Sequence, residues 1–282
     1  MTTTSSPTAD TTSHSGPVNA PPATLPQLAR DWRDWHAGRE RELVTEHGWL
    51  SLTWFSWLGE EPAAIADLPG RWSTRDGSAV LSAQADDGLT VQGEPVNGEV
   101  TATVPEAGSL GWVHHGARLV ELILRGGRYA VRLHDPNAET RTRFAGVPAF
   151  SVSLDWVLPA RYTPFDEPRV VKVVTARKDL VQSVTLVGAV TLELGSAAYE
   201  LAANAGKDAA LTLAFHDTTN GIHTAPWRAV TTSAPDDQGR VTIDFNRAVN
   251  FPFAFTDFGT CPAPIQGNRL PIAVIAGEKS PR

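Results

Sequence analysis

The sequence predicts a mainly β protein, with β-sandwich or barrel units and one amphipathic helix at the N-terminal side. Three observations carry this. From Arg71 onward the chain reads as short alternating runs, "GRWSTRDG", "SAVLSAQ", "LTVQGEPV", "EVTATVP", "LVELILRGG" and "YAVRLHDP", cut by Gly, Asp, Asn and Pro. No helical crossover separates successive runs, which disfavours a parallel α/β sheet. Helical periodicity appears in one stretch, from about Leu25 to about His47.

Taken in order, residues 1–24, "MTTTSSPTADTTSHSGPVNAPPAT", offer almost nothing to bury, so a disordered tail is expected. Residues 25–60 follow as helix and Trp-rich linker. Leu28, Trp32, Trp35, Arg39 and Leu43 recur at helical spacing, and Gly48 closes the pattern. The linker "GWLSLTWFSWLGEE" carries Trp49, Trp54 and Trp57, which read either as a buried helix-to-sheet hinge or as the aromatic wall of a pocket. A first β unit is expected over 61–161. A Pro-containing break at "VLPARYTPFDEP" then leads to a second unit over 162–282, with "RVVKVVTA", "QSVTLVGAVTLELG", "AALTLAFHD" and "RVTIDFN" among its strands. The two units can also be one continuous domain.

Composition narrows the partners. The 282 residues carry a formal charge of −7 and no Lys/Arg stripe, which argues against a nucleic-acid partner. The one cysteine, Cys261, allows no intramolecular disulfide or thiolate zinc cage, and fits a reducing compartment. There is no signal-peptide pattern and no apolar run near the ~20 residues that span a bilayer. A soluble, cytoplasmic protein with no membrane partner is the expectation; the oligomeric state stays open.

The C-terminal blocks "LAFHDTTNGIHT", "VTIDFNRAVNFPFAF" and "TCPAPIQGNRLPIAVIAGEK" resemble, in that order, the signature of the bacterial and archaeal family called domain of unknown function 1684. The opening "ARDWRDWHAGRERELVTEHGWLSLTWFSWLGE" resembles the family's opening. Residues shared with the pattern include Phe215, Asp217, Thr219, Gly221, Thr224 and Arg228. They continue through Asp244, Asn246, Asn250 and Cys261 to Asn268, Arg269, Gly277, Glu278 and Lys279. Ala225, Val249, Phe251 and Phe253 replace the pattern's two tyrosines, a proline and a second cysteine, so a two-cysteine metal or redox site is ruled out. The resemblance implies no established activity, and any cofactor stays unknown.

Chemistry therefore rests on the residues. Asp217, Asp244 and Glu278 are candidate catalytic carboxylates, since clustered carboxylates near a guanidinium separate acid and base roles. Arg228, Asn246, Asn250 and Asn268 are candidate ligand-binding groups. In "DFNRAVNFPFAF" a strand would place Asp244 and Asn246 on one face, with Asp244 contacting Arg228 or a nearby backbone donor beside a cavity. The competing reading is that these groups cap turns and lock loops.

A metal site on His216, Asp217 and His223 is disfavoured because strand neighbours point apart; His114 and His115 share that fault. Cys261 lies in apolar "FGTCPAP", which favours an inert thiol. No G-x-S-x-G elbow occurs, and the Gly pair in "RGGRYAVRLHD" reads as a hairpin turn. The functional expectation is a binder of a small polar molecule, or a hydrolase-like enzyme, acting through the Asp/Asn/Arg/Glu cluster. The alternative is a structural or interaction module in which the cluster only locks loops.

Overall fold

The computed structural model describes residues 24–65 and 67–282; all of the predicted tail except Thr24 lies outside them. Two compact units are present: Glu42–Phe144, and Ala145–Arg282 together with the helical residues up to Arg41.

Helix α1 spans Leu25–Leu43. Thr24 starts it, its hydroxyl accepting from Gln27 N–H and its carbonyl from Leu28 N–H. The helix stops short of the predicted His47 because the Thr45 hydroxyl and N–H both turn back onto the Glu42 carbonyl. Leu28 and Leu43 are buried as the periodicity requires, whereas Trp32 and Trp35 are half-buried.

The first unit holds strands β1 (Leu52–Trp57), β2 (Ala63–Ile65), β3 (Leu68–Arg75), β4 (Ser78–Ala83), β5 (Leu89–Val91) and β6 (Glu94–Pro95). It continues with β7 (Gly98–Ala102), β8 (Ser109–His115), β9 (Arg118–Arg125) and β10 (Arg128–His134), then the one-turn helix α2 (Glu139–Thr142). A six-stranded sheet, β1-β10-β9-β8-β5-β6, and a four-stranded sheet, β2-β3-β4-β7, share one core. Trp72 and Leu81 from the smaller sheet meet Trp112, Leu122 and Val131 from the larger, with Trp72 and Trp112 edge to face at 5.7 Å. This is the predicted sandwich. In the Trp-rich linker Leu50 and Leu52 are buried, but Trp54 is 40 % exposed on the edge strand β1. Trp57 and Trp49 instead stack under Arg128 and Arg132.

The second unit holds β11 (Val157–Val174), β12 (Val181–Leu194), β13 (Ala197–Ala205), β14 (Leu211–Phe215), β15 (Arg228–Thr231), β16 (Arg240–Asp244) and β17 (Val249–Asn250). They form one antiparallel sheet in the order β16-β11-β12-β13-β14-β15-β17. The sheet curls until the end of β15 meets β16, through the Thr232↔Ile243 bridge and a Ser233 N–H to Thr242 carbonyl bond of 2.9 Å. Val190, Leu192, Leu201, Leu213, Phe215, Val230, Ile243 and Phe245 fill the barrel. The expected break at "VLPARYTPFDEP" is absent. β11 runs through it, and a bulge between Pro164 and Arg169 takes up the third proline, Pro168, which has no N–H to give a ladder.

Candidate functional site

The signature blocks converge around Arg228, the first residue of β15, which is 0 % exposed. Its Nη2 donates to Asp217 Oδ2 at 2.9 Å and to the Val274 carbonyl at 2.9 Å. Nη1 donates to the Glu278 carbonyl at 3.2 Å and to the Ala276 carbonyl. The guanidinium therefore grips 274–278, a segment outside the named strands, and it lies over the Phe215 ring at 5.5 Å. Burial pulls the Arg228 pKa down from its ordinary value, against the opposing pull of Asp217 and Glu278.

Asp217 reaches Arg228 because the loop after β14 is tied into a tight turn. Its Oδ1 accepts from Thr219 N–H at 2.8 Å and from the Thr219 hydroxyl at 2.5 Å, and Val274 N–H adds a contact at 3.3 Å. His216 turns the other way, its Nδ1 meeting the Pro226 carbonyl at 3.0 Å. The two neighbours point apart, as strand alternation requires. Among the described residues no group of His, Cys, Asp and Glu is arranged to hold a metal ion.

Glu278 sits in a second knot. Its Oε2 accepts from Asn250 N–H at 2.6 Å and its Oε1 from Arg39 Nε at 3.3 Å, while Arg39 Nη2 also donates to the Asn250 carbonyl at 3.1 Å. Asn250 Nδ2 closes the ring on the Lys279 carbonyl at 2.8 Å. The preceding residue has to be glycine: Gly277 has φ +76°, and a Cβ there would lie 2.5 Å from the Ala248 carbonyl oxygen.

Asp244 belongs to a third knot, apart from Arg228. β16 ends at Asp244 and the chain turns through a 3-10 turn at Phe245–Arg247. The turn brings Asn246 N–H and Nδ2 to Asp244 Oδ1 at 3.0 and 2.8 Å, and Arg247 Nε to within 3.4 Å of Oδ2. Of the two expected partners, the nearby backbone donor is present as Asn246 N–H, whereas Arg228 is replaced by the local cation Arg247. The convergence of Asp244 and Asn246 comes from the turn, since no strand continues there. Asn246 also pairs with both Ser153 N–H and the Ser153 carbonyl, and its own carbonyl accepts from Trp32 Nε1 at 2.7 Å. Burial pushes the Asp244 carboxyl above its ordinary value, with the Asn246 bonds and Arg247 opposing. Since the fold already disfavours this charge, Asp244→Asn is expected to cost less than about 1 kcal/mol at neutral pH by urea unfolding. Its amide oxygen can still accept from Asn246.

Asn268 is a fourth, separate lock. β13 and β14 pair only at Asn204↔Thr212 and Ala205↔Leu211. Where they splay apart, the Asn268 amide bridges them, accepting from Ala202 N–H and donating to the Ala202 and Ala214 carbonyls, each at 2.8 Å. The predicted site residues therefore come together in part: Asp217, Arg228, Glu278 and Asn250 around the C-terminal segment, with Asp244–Asn246 and Asn268 elsewhere. Each of the three carboxylates has donors on its oxygens, and none lines either of two concave features described next.

The first feature is a pocket of about 240 Å³ in the second unit, lined by Val184 and Leu186 of β12, Ala205, Thr212 and Ala214 of β13–β14, and Phe251, Pro262–Ile265 and Asn268. The second is an open cleft of about 860 Å³ in the first unit, with Arg71, Arg75, Arg128, Glu60, Glu61 and Glu99 on its walls.

The first unit also contains a buried network not anticipated from the sequence. Arg132 donates to Glu121 Oε2 through Nε at 2.8 Å and approaches it with Nη2 at 2.7 Å; His134 Nε2 lies 3.1 Å from the same oxygen, and His134 Nδ1 lies 2.8 Å from Ser51 Oγ. Its signal was the hairpin. Counting back from the Gly126–Gly127 turn pairs Glu121 with Arg132.

Known proteins give limited company. No curated protein matches the chain. A solved structure, the solution NMR structure of an uncharacterized protein from gene locus rrnAC0354 of Haloarcula marismortui, is 27% identical, covering 49% of this chain and 78% of that one with a TM-score of 0.42. The stretch resembling the family's opening lies outside the residues matched by a family, which begin near the start of the second unit. Residues 142–279 match the family described as Protein of unknown function (DUF1684).

Proposed function

We propose that the second unit binds a small, uncharged, mainly apolar molecule in the 240 Å³ pocket, and that the Asp/Arg/Glu/Asn residues hold the walls of that pocket in place. One observation carries the reading. Two of the signature blocks, "NFPFAF" through Phe251 and "TCPAPIQGN" through Pro262–Ile265 and Asn268, border the same pocket, opposite the outer ends of β12–β14. The lining contains no charged side chain; its polar members are Asn204, Thr212 and Asn268. The Asn268 amide is committed to the backbone of β13 and β14, so it serves as wall. The volume suits a single ring or a short aliphatic chain, since cavities of about 150 Å³ already accept benzene.

This differs from the polar ligand expected from the sequence. A polar ligand would need accessible donors and acceptors on the cluster; most are engaged with main chain and with one another, and the unpaired Arg228 Nε and Asn250 Oδ1 are buried away from both concave features. The test is a thermal-stabilisation screen with small neutral rings and short-chain alcohols beside carboxylates and phosphates. A neutral compound at about 100 times its Kd should stabilise the protein by about 2.7 kcal/mol, and Ala214→Phe, which fills the pocket, should abolish the shift. Stabilisation confined to charged ligands, unaffected by Ala214→Phe, would overturn the proposal.

A further inference from the structure

We propose that the 860 Å³ cleft of the first unit binds a short peptide by its two charged ends, with Arg71 and Ser82 taking the carboxylate and Glu60 and Glu61 the ammonium. Strand alternation in β3 sends Trp72 into the core and Arg71, Ser73 and Arg75 to the other face, where Val80 and Ser82 of β4 stand beside them. That face is the floor of the cleft. Ser73 and Val80 pair across it and are 6 and 2 % exposed, although neither belongs to the core shared by the two sheets. Walls shield them. β2 meets β3 at Ala63↔Trp72, and Thr74 N–H donates to the Gly59 carbonyl at 2.7 Å, so residues 60–62 stand along the strand beside Ser73.

Polar groups in this cleft are left without partners. The Ser73 hydroxyl has no hydrogen-bond partner among the described residues and remains open to the cleft. A hydroxyl on so nearly buried a residue needs a partner from outside the chain. Arg71, Glu60 and Glu61 are exposed, and among the described residues they pair neither with each other nor with another side chain. Glu99 lies in one cross-strand row with Arg71 and Ser82, yet it belongs to Arg75, whose Nη2 and Nη1 donate to its Oε2 and Oε1 at 2.6 and 3.3 Å. Arg71 and the Ser82 hydroxyl are therefore left together for an outside acceptor.

Chemistry selects the ligand. A guanidinium beside a hydroxyl suits a carboxylate, and two neighbouring carboxylates suit an ammonium with its three donors. Between these ends the floor offers a hydroxyl at Ser73 for a peptide group and an apolar surface at Val80 for a side chain. Arg71 and Ser73 lie about 7 Å apart along the strand, and an extended tripeptide, about 10 Å long, reaches from Arg71 to the wall beside Ser73. A polyanion fits poorly, because three arginines share the lining with four carboxylates, Glu60, Glu61, Asp76 and Glu99. A sugar ring fits poorly as well. Tyr129 is the one aromatic residue of the lining; it is 8 % exposed, so a flat ring face has nothing to stack on.

Isothermal titration of the full chain with the tripeptide alanyl-leucyl-alanine tests the idea. Saturation is expected at millimolar concentration or below, and N-acetylation or C-amidation of the peptide should each weaken binding about tenfold, since each removes one charge-assisted contact. The variants should match the caps. Arg71→Gln is expected to weaken the free peptide as much as amidation does and to leave the amidated peptide unaffected. Glu60→Gln with Glu61→Gln should stand in the same relation to N-acetylation. All three positions are exposed, so the melting temperature should hold in each variant. No saturable binding of the free peptide, equal binding of the capped forms, losses that the variants do not reproduce, or spermidine or maltotriose bound in the peptide's place would overturn the proposal.

Discussion

Asp217→Ala is expected to destabilise the second unit by about 3–5 kcal/mol, because it leaves a buried guanidinium without its carboxylate. Arg228 is 0 % exposed and has no route to water. Its remaining acceptors are the carbonyls of Val274, Ala276 and Glu278, which share its hydrogens without neutralising its charge. The same substitution strands the N–H of Thr219 and leaves its hydroxyl with Thr224 Oγ1 alone, loosening the loop after β14. Urea unfolding of the single variant gives the loss. The double variant Asp217→Leu with Arg228→Met removes both charges, and should recover a substantial part of it, since an ion pair in an apolar setting can be exchanged for well-packed hydrophobes. A loss below about 1 kcal/mol for Asp217→Ala would mean that the guanidinium is solvated by local opening and that the lock contributes little.

Glu121→Leu should cost the first unit a similar amount, about 3–5 kcal/mol, for the same reason: Arg132, buried and seated on the Trp49 ring at 4.8 Å, would keep its charge and lose its counterion. pH supplies an independent check. Burial acts to raise the Glu121 carboxyl, but the charge of Arg132 and the hydrogen bonds from His134 and Arg132 outweigh it, holding the group well below the usual carboxylate range. A carboxyl depressed in the fold binds its proton more readily when unfolded, so its contribution is present above the unfolded value, about pH 4.3, and declines as pH falls below that. Melting of wild type and Glu121→Gln should therefore differ at neutral pH and converge with acid. Parallel pH profiles would show that Glu121 is not the group responsible.

Much of the architecture was legible in local pattern. Alternation every second residue and Gly, Asn and Pro turns specify strands within a few residues, and one 3.6-residue period specifies α1. The turn chemistry of "HDTTNG" was also visible, with Asp217 capping its own loop. Two local signals misled. The prolines in "VLPARYTPFDEP" read as a domain break, yet Pro164 and the bulge before Arg169 let β11 run straight through. The strand pattern of "TIDFN" hid the 3-10 turn that hands Asp244 to Arg247.

By itself the sequence determined that this is an antiparallel β protein with an N-terminal helix, and which polar residues are crowded into its C-terminal blocks. Those properties follow from side-chain spacing and backbone dihedral preferences, which act over a turn or two of chain. Only the tertiary structure decided which charge meets which. Arg228 grips carbonyls of 274–278, Asn268 bridges Ala202 and Ala214, and Arg39 reaches Glu278. Contacts at such separations depend on how the barrel closes and where its strands splay, and no local periodicity encodes that closure. The same closure makes the carboxylates fastenings and leaves the pocket bordered by Phe251 and Pro262–Ile265 as open space, because burial forces each polar group to take whatever partner the finished fold sets within reach.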